Sequence, residues 1–341
     1  MLVALAPVLL VLAAAWFLFS TFQPLKGDGE GKVRVTVPEK ASVGDIGTLL
    51  EKRGVVSSAF FFQVRATVGG DRGSLRPGTY TLAKGMSSSS AIGRLTAGPP
   101  ANVVQVTVPE GRARSEVADI VKQAGLRGSY AKASTRSAGL SPRSYGARRA
   151  RDLEGFLYPS TYELKKGTTS RALVRDQLTA FKKNFRKVDM RAARKANLSP
   201  YEVLIIASMI DREAQLKRER SVISSVIYNR LRDNIPLGID ATIRFATDNW
   251  SEPLTESDLK ISSPYNTRTR QGLPPGPIGS PGLAAIRAAA RPRKTGFLYY
   301  VVKPGSCGEH AFSKTFEQFQ KDARRYDTAR AQRGGKSPQD C

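Results

Sequence analysis

Eight consecutive residues, Val203 to Ile210, read Val-Leu-Ile-Ile-Ala-Ser-Met-Ile, and a helix-start signal stands directly before them. Ser199 is a natural cap, Pro200 suits the first helical position, and Glu202 falls three residues after the cap, the pattern of a capping box. A helix that is apolar all the way round must be enclosed on every side. The chain therefore has to build a domain that buries this segment. The same helix delivers Asp211-Arg212-Glu213 at its end. By the 3.6-residue repeat, Glu213 extends the stripe of Ile206, Met209 and Ile210, while Asp211 lies about 200° around the helix from it. The two cannot face each other as a dyad. Glu213 is then a lone carboxyl at the end of an apolar stripe, where desolvation raises the pKa toward the acid–base range. The competing reading is a surface ion pair with Arg212, Lys217 or Arg218.

A second helix is expected over about Arg218 to Asp233, with Val222, Val226, Ile223, Ile227 and Leu231 facing the core. Its Asn229 and Arg230 are candidates to hold a substrate or to brace the first helix. Asp240 is placed to cap a helix starting near Ala241. Then comes Ser263-Pro264-Tyr265-Asn266-Thr267, followed by Gly272-Leu273-Pro274-Pro275-Gly276-Pro277-Ile278. Proline and glycine at this density give a restrained loop. Presenting Tyr265 and Asn266, it would suit a sugar, whose rings stack on aromatic faces and whose hydroxyls bind amides; a structural crossover is the plainer alternative. Phe297 to Val302 reads as a buried strand, and His310-Ala311-Phe312-Ser313 begins another, with His310 a candidate for positioning a substrate.

Toward the N-terminus the periodicity changes. Val33, Val35 and Val37 alternate with polar residues, the period of a half-buried strand. Ser42 should cap a helix from Val43 to about Arg53. A second helix is expected over Ser58 to Val68, a strand near Thr79 to Leu82, and a short helix over Ser87 to Leu95. Val35-Thr36-Val37-Pro38-Glu39 returns as Val106-Thr107-Val108-Pro109-Glu110, each followed by an amphipathic helix, which suggests two similar strand–helix units. Arg127 to Arg151 is poor in large apolar residues and reads as an exposed insertion within a domain spanning 101–330, with 331–341 as a flexible tail.

Leu2 to Gln23 contain no charged side chain, and about 20 apolar residues suffice to cross a bilayer. Because Trp16 to Phe19 continue the run beyond the small Ala13-Ala14-Ala15 triplet, residues 1–23 are expected to be an uncleaved transmembrane anchor rather than a cleaved signal peptide. Residues 24–32 would form a flexible linker. The formal charge of +25 favours polyanionic surroundings without choosing among nucleic acid, acidic lipid and cell wall. One histidine and two cysteines, Cys307 and Cys341, offer no recognisable metal spacing, and no metal or cofactor is expected.

Taken in order, Glu154-Gly155-Phe156-Leu157-Tyr158-Pro159, Ala207 to Glu213, Tyr228-Asn229-Arg230-Leu231, Asp240-Ala241-Thr242, Tyr265-Asn266-Thr267, Gly272 to Ile278 and His310-Ala311-Phe312 resemble the endolytic murein transglycosylase family, YceG/MltG-like. Each motif is weak alone; seven in one order are specific. The resemblance spans nearly everything after the anchor. It implies an α+β chain: a single transmembrane helix, a small LysM-like α/β unit over 33–100, and a mixed α+β catalytic domain. It implies Glu213 as the catalytic acid and base, with Tyr158, Asn229, Arg230, Asp240, Thr242, Tyr265, Asn266 and His310 binding substrate or supporting the site. The implied substrate is the MurNAc-β-1,4-GlcNAc bond inside peptidoglycan glycan strands, opened to a 1,6-anhydro end so that strand elongation stops. The implied setting is the cell membrane, with the catalytic domain on its extracytoplasmic side, cell-wall synthesis or division proteins as partners, and no nucleic acid. Two alternatives stay open: a muramidase that hydrolyses the same bond, and a non-catalytic peptidoglycan-binding scaffold.

Overall fold

The computed structural model describes residues 16–17, 27–99, 103–335 and 337–338. The expected membrane anchor falls almost wholly outside these residues. Among the described residues no helix is long and apolar enough to cross a membrane. The chain divides into two compact units, Met1–Val103 and Val104–Cys341, and it mixes helices with short strands in an α+β arrangement.

In the first unit, strand β1 (Glu30–Val37) pairs antiparallel with β2 (Gly78–Lys84), placing Val35 opposite Tyr80 and Val33 opposite Leu82. Helices α1 (Val43–Lys52), α2 (Ala59–Val68) and α3 (Ser88–Ala97) complete it. Each starts where a serine accepts a backbone N–H: Ser42 from Asp45, Ser58 from Phe61 and Ser87 from Ser90. Such caps satisfy N–H groups that the helix itself leaves unpaired. Val35, Val37, Ile46, Leu50, Phe62, Tyr80 and Leu95 form the core.

The second unit opens with β3 (Val103–Val108), which pairs with β4 (Ser160–Lys165). Helix α4 (Arg114–Gln123) follows β3 just as α1 follows β1. The sequence echo is therefore structural. Val35 and Val37, like Val106 and Val108, are buried. The threonine between each pair faces outward onto a threonine of the neighbouring strand, Thr36 to Thr79 at 3.1 Å and Thr107 to Thr161 at 3.0 Å. Then come α5 (Ser170–Phe185), α6 (Pro200–Glu213), α7 (Arg220–Arg232), α8 (Asp240–Thr247), α9 (Leu283–Ala290), the antiparallel hairpin β5 (Tyr299–Val302) and β6 (His310–Ser313), and α10 (Phe316–Gln332).

Helix α6 is the buried centre that its composition demands. Every residue from Val203 to Ile210 is buried, and the capping box of Ser199 and Glu202 is formed. Its single polar residue in that run is satisfied: Ser208 Oγ donates to Ile205 O and accepts from Ile278 N–H.

The 127–151 stretch, expected to be an exposed insertion, is tied into this core. Tyr130, Leu140 and Ala147 are buried, Tyr130 Oη donates to Gln177 Oε1, and the Tyr145 ring contacts Phe156, Phe181 and Phe185. Its buried apolar residues stand singly, so no periodicity announces them. Of the expected flexible tail, Pro338 is buried and its carbonyl accepts from Gly305 N–H in the β5–β6 turn. Cys307 of that turn is disulfide-bonded. The chain's other cysteine, Cys341, lies outside the described residues.

Candidate active site

Helix α6 stops at Glu213, because Ala214 turns to extended backbone while still donating to Ile210 O. The carboxyl is thus held on the last turn of a helix whose body is locked in the core. Opposite it stands the hairpin. Tyr300 Oη donates to Glu213 Oε2 at 2.9 Å. Among the described residues no cation lies within ion-pair distance of Glu213. Arg212 pairs with Glu116 and stacks over the Trp250 ring, and Arg218 reaches Glu309. The surface ion-pair reading of Glu213 is not what the structure shows.

Burial is the main influence on Glu213 and raises its pKa; the charge of Asp240 adds to this, while the Tyr300 hydrogen bond and His310 oppose it. A desolvated carboxyl favours its neutral form. Burial also pushes the Tyr300 phenol well above its ordinary value, the Glu213 charge adding to it. Tyr300 is therefore a donor throughout the physiological range.

Asp211 goes elsewhere, as the helical repeat requires. It accepts from Gly282 N–H at 2.7 Å and lies 3.3 Å from Arg220, which also holds Glu110. Its side chain is 1 % exposed, and burial, then Glu110, pushes its pKa up to about 6.

The other sequence candidates divide into two groups. His310, first residue of β6, sits beside Tyr300, their rings 5.3 Å apart and edge-on. Asp240 lies within electrostatic reach of Glu213. It is the first residue of α8 but makes no capping bond, pairing instead with Arg268 at 2.7 Å. Asn229 and Arg230 brace the hairpin. Asn229 Nδ2 donates to the carbonyls of Thr295 and Phe297, and Arg230 donates to those of Leu298, Pro236 and Leu237. Together they fix the segment that leads into β5 and so aim Tyr300.

Thr242 and Asn266 are fully buried scaffolding. Thr242 bonds Ile239 O and Thr267, and Asn266 Nδ2 donates to Leu259 O and Ile261 O. Tyr265 packs its ring against Phe245, and burial pushes its phenol up to about 12. Tyr158 belongs to the Glu110 and Arg287 neighbourhood rather than to that of Tyr300. The proline–glycine loop, read as a platform for Tyr265 and Asn266, is chiefly a strut: Pro274 and Gly276 to Ser280 are buried.

Three important side chains were not singled out by sequence. Tyr300 lay within a run read only as a buried strand. Glu219 sat in the charged run Lys217 to Arg220, which looks like surface, yet it is 5 % exposed and holds His310. Glu154 was seen in a motif but not as a titrating group. It is 8 % exposed, with Oε2 accepting from Arg114 N–H and Oε1 buried without a hydrogen-bond partner. Burial is the largest influence, pushing its pKa up to about 8. The folded state then keeps a proton that the unfolded chain, with a carboxyl of ordinary pKa, releases. Stability from this group is greatest at low pH and is lost as pH rises past the ordinary carboxylate range and through the folded value. Wild-type protein is expected to melt at lower temperature near pH 9 than near pH 7, with a slope of about 1.4 kcal/mol per pH unit at most from this residue. Glu154→Gln should flatten that slope; equal slopes in thermal melts of both proteins would refute it.

The sequence model of the YceG-like family matches residues 35–325. The endolytic murein transglycosylase of Bacillus subtilis (strain 168) is 30% identical over 324 residues, covering 90% of this chain and 88% of the relative. That of Streptococcus pneumoniae (strain ATCC BAA-255 / R6) is 30% identical over 318 residues, covering 84% of this chain and 57% of the relative. The crystal structure of a putative yceG-like protein from Listeria monocytogenes superposes with a TM-score of 0.56 at 28% identity, covering 86% of this chain and 99% of that one.

Proposed function

Because the chain belongs to the YceG-like family, we propose that Glu213 is the acid and base with which it works as an endolytic murein transglycosylase on peptidoglycan glycan strands. The observation that carries this reading is a desolvated carboxyl at the end of a buried helix, held by a phenol and, among the described residues, with no cation within ion-pair distance. Neutral Glu213 donates its proton to the glycosidic oxygen between MurNAc and GlcNAc as the C1–O bond breaks and positive charge develops on the MurNAc ring. The GlcNAc portion leaves as an alcohol. Ionised Glu213 then takes the proton from the MurNAc C6 hydroxyl as its oxygen bonds to C1. The 1,6-anhydro ring closes, and Glu213 is protonated again. No water is consumed.

Hydrolytic glycosidases place two carboxyl groups across the scissile bond. Here Asp211 is buried and bound to Gly282 and Arg220, and Asp240 is paired with Arg268, which favours the C6 hydroxyl over water as the nucleophile. Tyr300 occupies one carboxyl oxygen of Glu213. It leaves the other for the substrate and favours the charged form enough for the base half of the cycle.

Mass spectrometry of soluble muropeptides released from purified sacculi tests the reading. Products should carry 1,6-anhydroMurNAc ends. Products heavier by one water identify a muramidase, and binding to sacculi without release identifies a scaffold.

The finer setting forms part of the same proposal. The apolar run over 1–23 supports a single-pass anchor in the cell membrane, and an enzyme acting on murein belongs on the extracytoplasmic side. Residues 33–100 are read as a LysM-like unit that holds the glycan. Cell-wall synthesis or division proteins are natural partners for an enzyme that terminates nascent strands, and the excess of positive charge suits an anionic wall.

A further inference from the structure

His310 is the chain's single histidine. Its backbone N–H donates to Glu219 Oε1 at 3.0 Å, and its ring Nδ1 lies 2.7 Å from Glu219 Oε2. The two side chains are only 5 % and 6 % exposed. Taking such a pair out of water is costly, and a hairpin that needed only to pack would be served as well by apolar residues. The β5–β6 ladder, moreover, already pairs four residues on each strand. The pair is also next to the chemistry: the His310 ring meets the Tyr300 ring edge-on, and Tyr300 holds Glu213. Ring Nε2 of His310 makes no hydrogen bond among the described residues.

The ionisable groups that converge here come from several elements. Glu213 is on α6, Glu219 on the turn before α7, Asp240 on α8 with its partner Arg268, Tyr300 on β5 and His310 on β6. Arg230, which reaches Tyr300 electrostatically, faces them from α7.

We propose that Glu219 and His310 form a positioning couple for Glu213, in which Glu219 fixes the Nδ1–H tautomer and the orientation of the ring, and the ring, packed edge-on against Tyr300, holds that phenol on the catalytic carboxyl. The inference rests on the assignment of Glu213 as acid and base. A carboxyl that must first give a proton and then take one back works best when its pKa is held near the working pH. His310 opposes burial at Glu213, and Glu219 keeps the imidazole where that opposition is felt. The arrangement of a carboxylate orienting an imidazole through Nδ1 is a standard way of fixing which ring nitrogen carries the proton.

In glycan cleavage by the full chain, His310→Gln should move the alkaline limb of the kcat/KM profile up, with KM changed by less than about twofold. An unmoved alkaline limb in folded His310→Gln overturns the couple. Should His310→Gln fail to fold, His310→Asn, whose amide can still donate to Glu219, is read in its place. If Glu213→Gln still cleaves glycan, the proposed function fails instead, which separates the two outcomes.

Discussion

Glu213→Gln is expected to lower glycan cleavage by about 10³-fold or more, since positioned acid–base catalysis contributes roughly 10²–10⁴ and this reaction uses the same group twice. The amide keeps the shape of the carboxyl and can still accept from Tyr300 Oη, so no packing is lost. It cannot donate a proton to the leaving oxygen or accept one from the C6 hydroxyl. The variant should melt with wild-type cooperativity, and at alkaline pH no lower than wild type, because it removes a charge from a desolvated position. Timed release of soluble muropeptides measures the effect. Release within tenfold of wild type would remove Glu213 from the chemistry.

Gly279→Ala is expected to be the most damaging small substitution in the catalytic unit. A Cβ at Gly279 would stand 2.1 Å from Gly111 O and 2.8 Å from Gly111 C. That is backbone, and no rotamer change relieves it. Here two stretches of chain lie against each other and exchange hydrogen bonds, Gly111 N–H to Ser280 O at 2.8 Å and Ser280 N–H to Arg112 O at 2.9 Å. Separating them also strains the Gly282 N–H bond to Asp211, which ties the end of α6 to the same segment. Overpacking with loss of these bonds should cost about 3 kcal/mol, or a fall in Tm of roughly 6–12 °C for a unit of this size. Cleavage should fall in parallel, because the anchoring of Glu213 is disturbed from behind. A melt within about 2 °C of wild type would show that the two stretches move apart without cost.

The contrast between these two residues shows how far the chain could be read without its fold. Glu213 is legible because helical geometry is local: given a capped apolar helix, the repeat places each residue around the axis, and Asp211 duly turns away. The echo between residues 35–39 and 106–110 is legible for the same reason, since strand alternation fixes which side chains turn inward. Gly279 is not legible, because what makes it necessary is the approach of residue 111, far away in the sequence. Tyr265 and Asn266 show where residue type alone stops informing. Their types suited a sugar, but Asn266 is spent on the carbonyls of Leu259 and Ile261, and nothing local distinguishes an amide that grips substrate from one that closes a loop.

Capping signals and side-chain period, acting over a few residues, settled from sequence alone that a buried helix carries a lone carboxyl to its end. The order of motifs along the chain settled its family. Which groups surround that carboxyl was decided only by the tertiary fold, which brings Glu219, Asp240, Tyr300 and His310 together, Tyr300 from 87 residues further along the chain. Desolvation and electrostatic coupling depend on distance through space, and only the folded chain sets those distances.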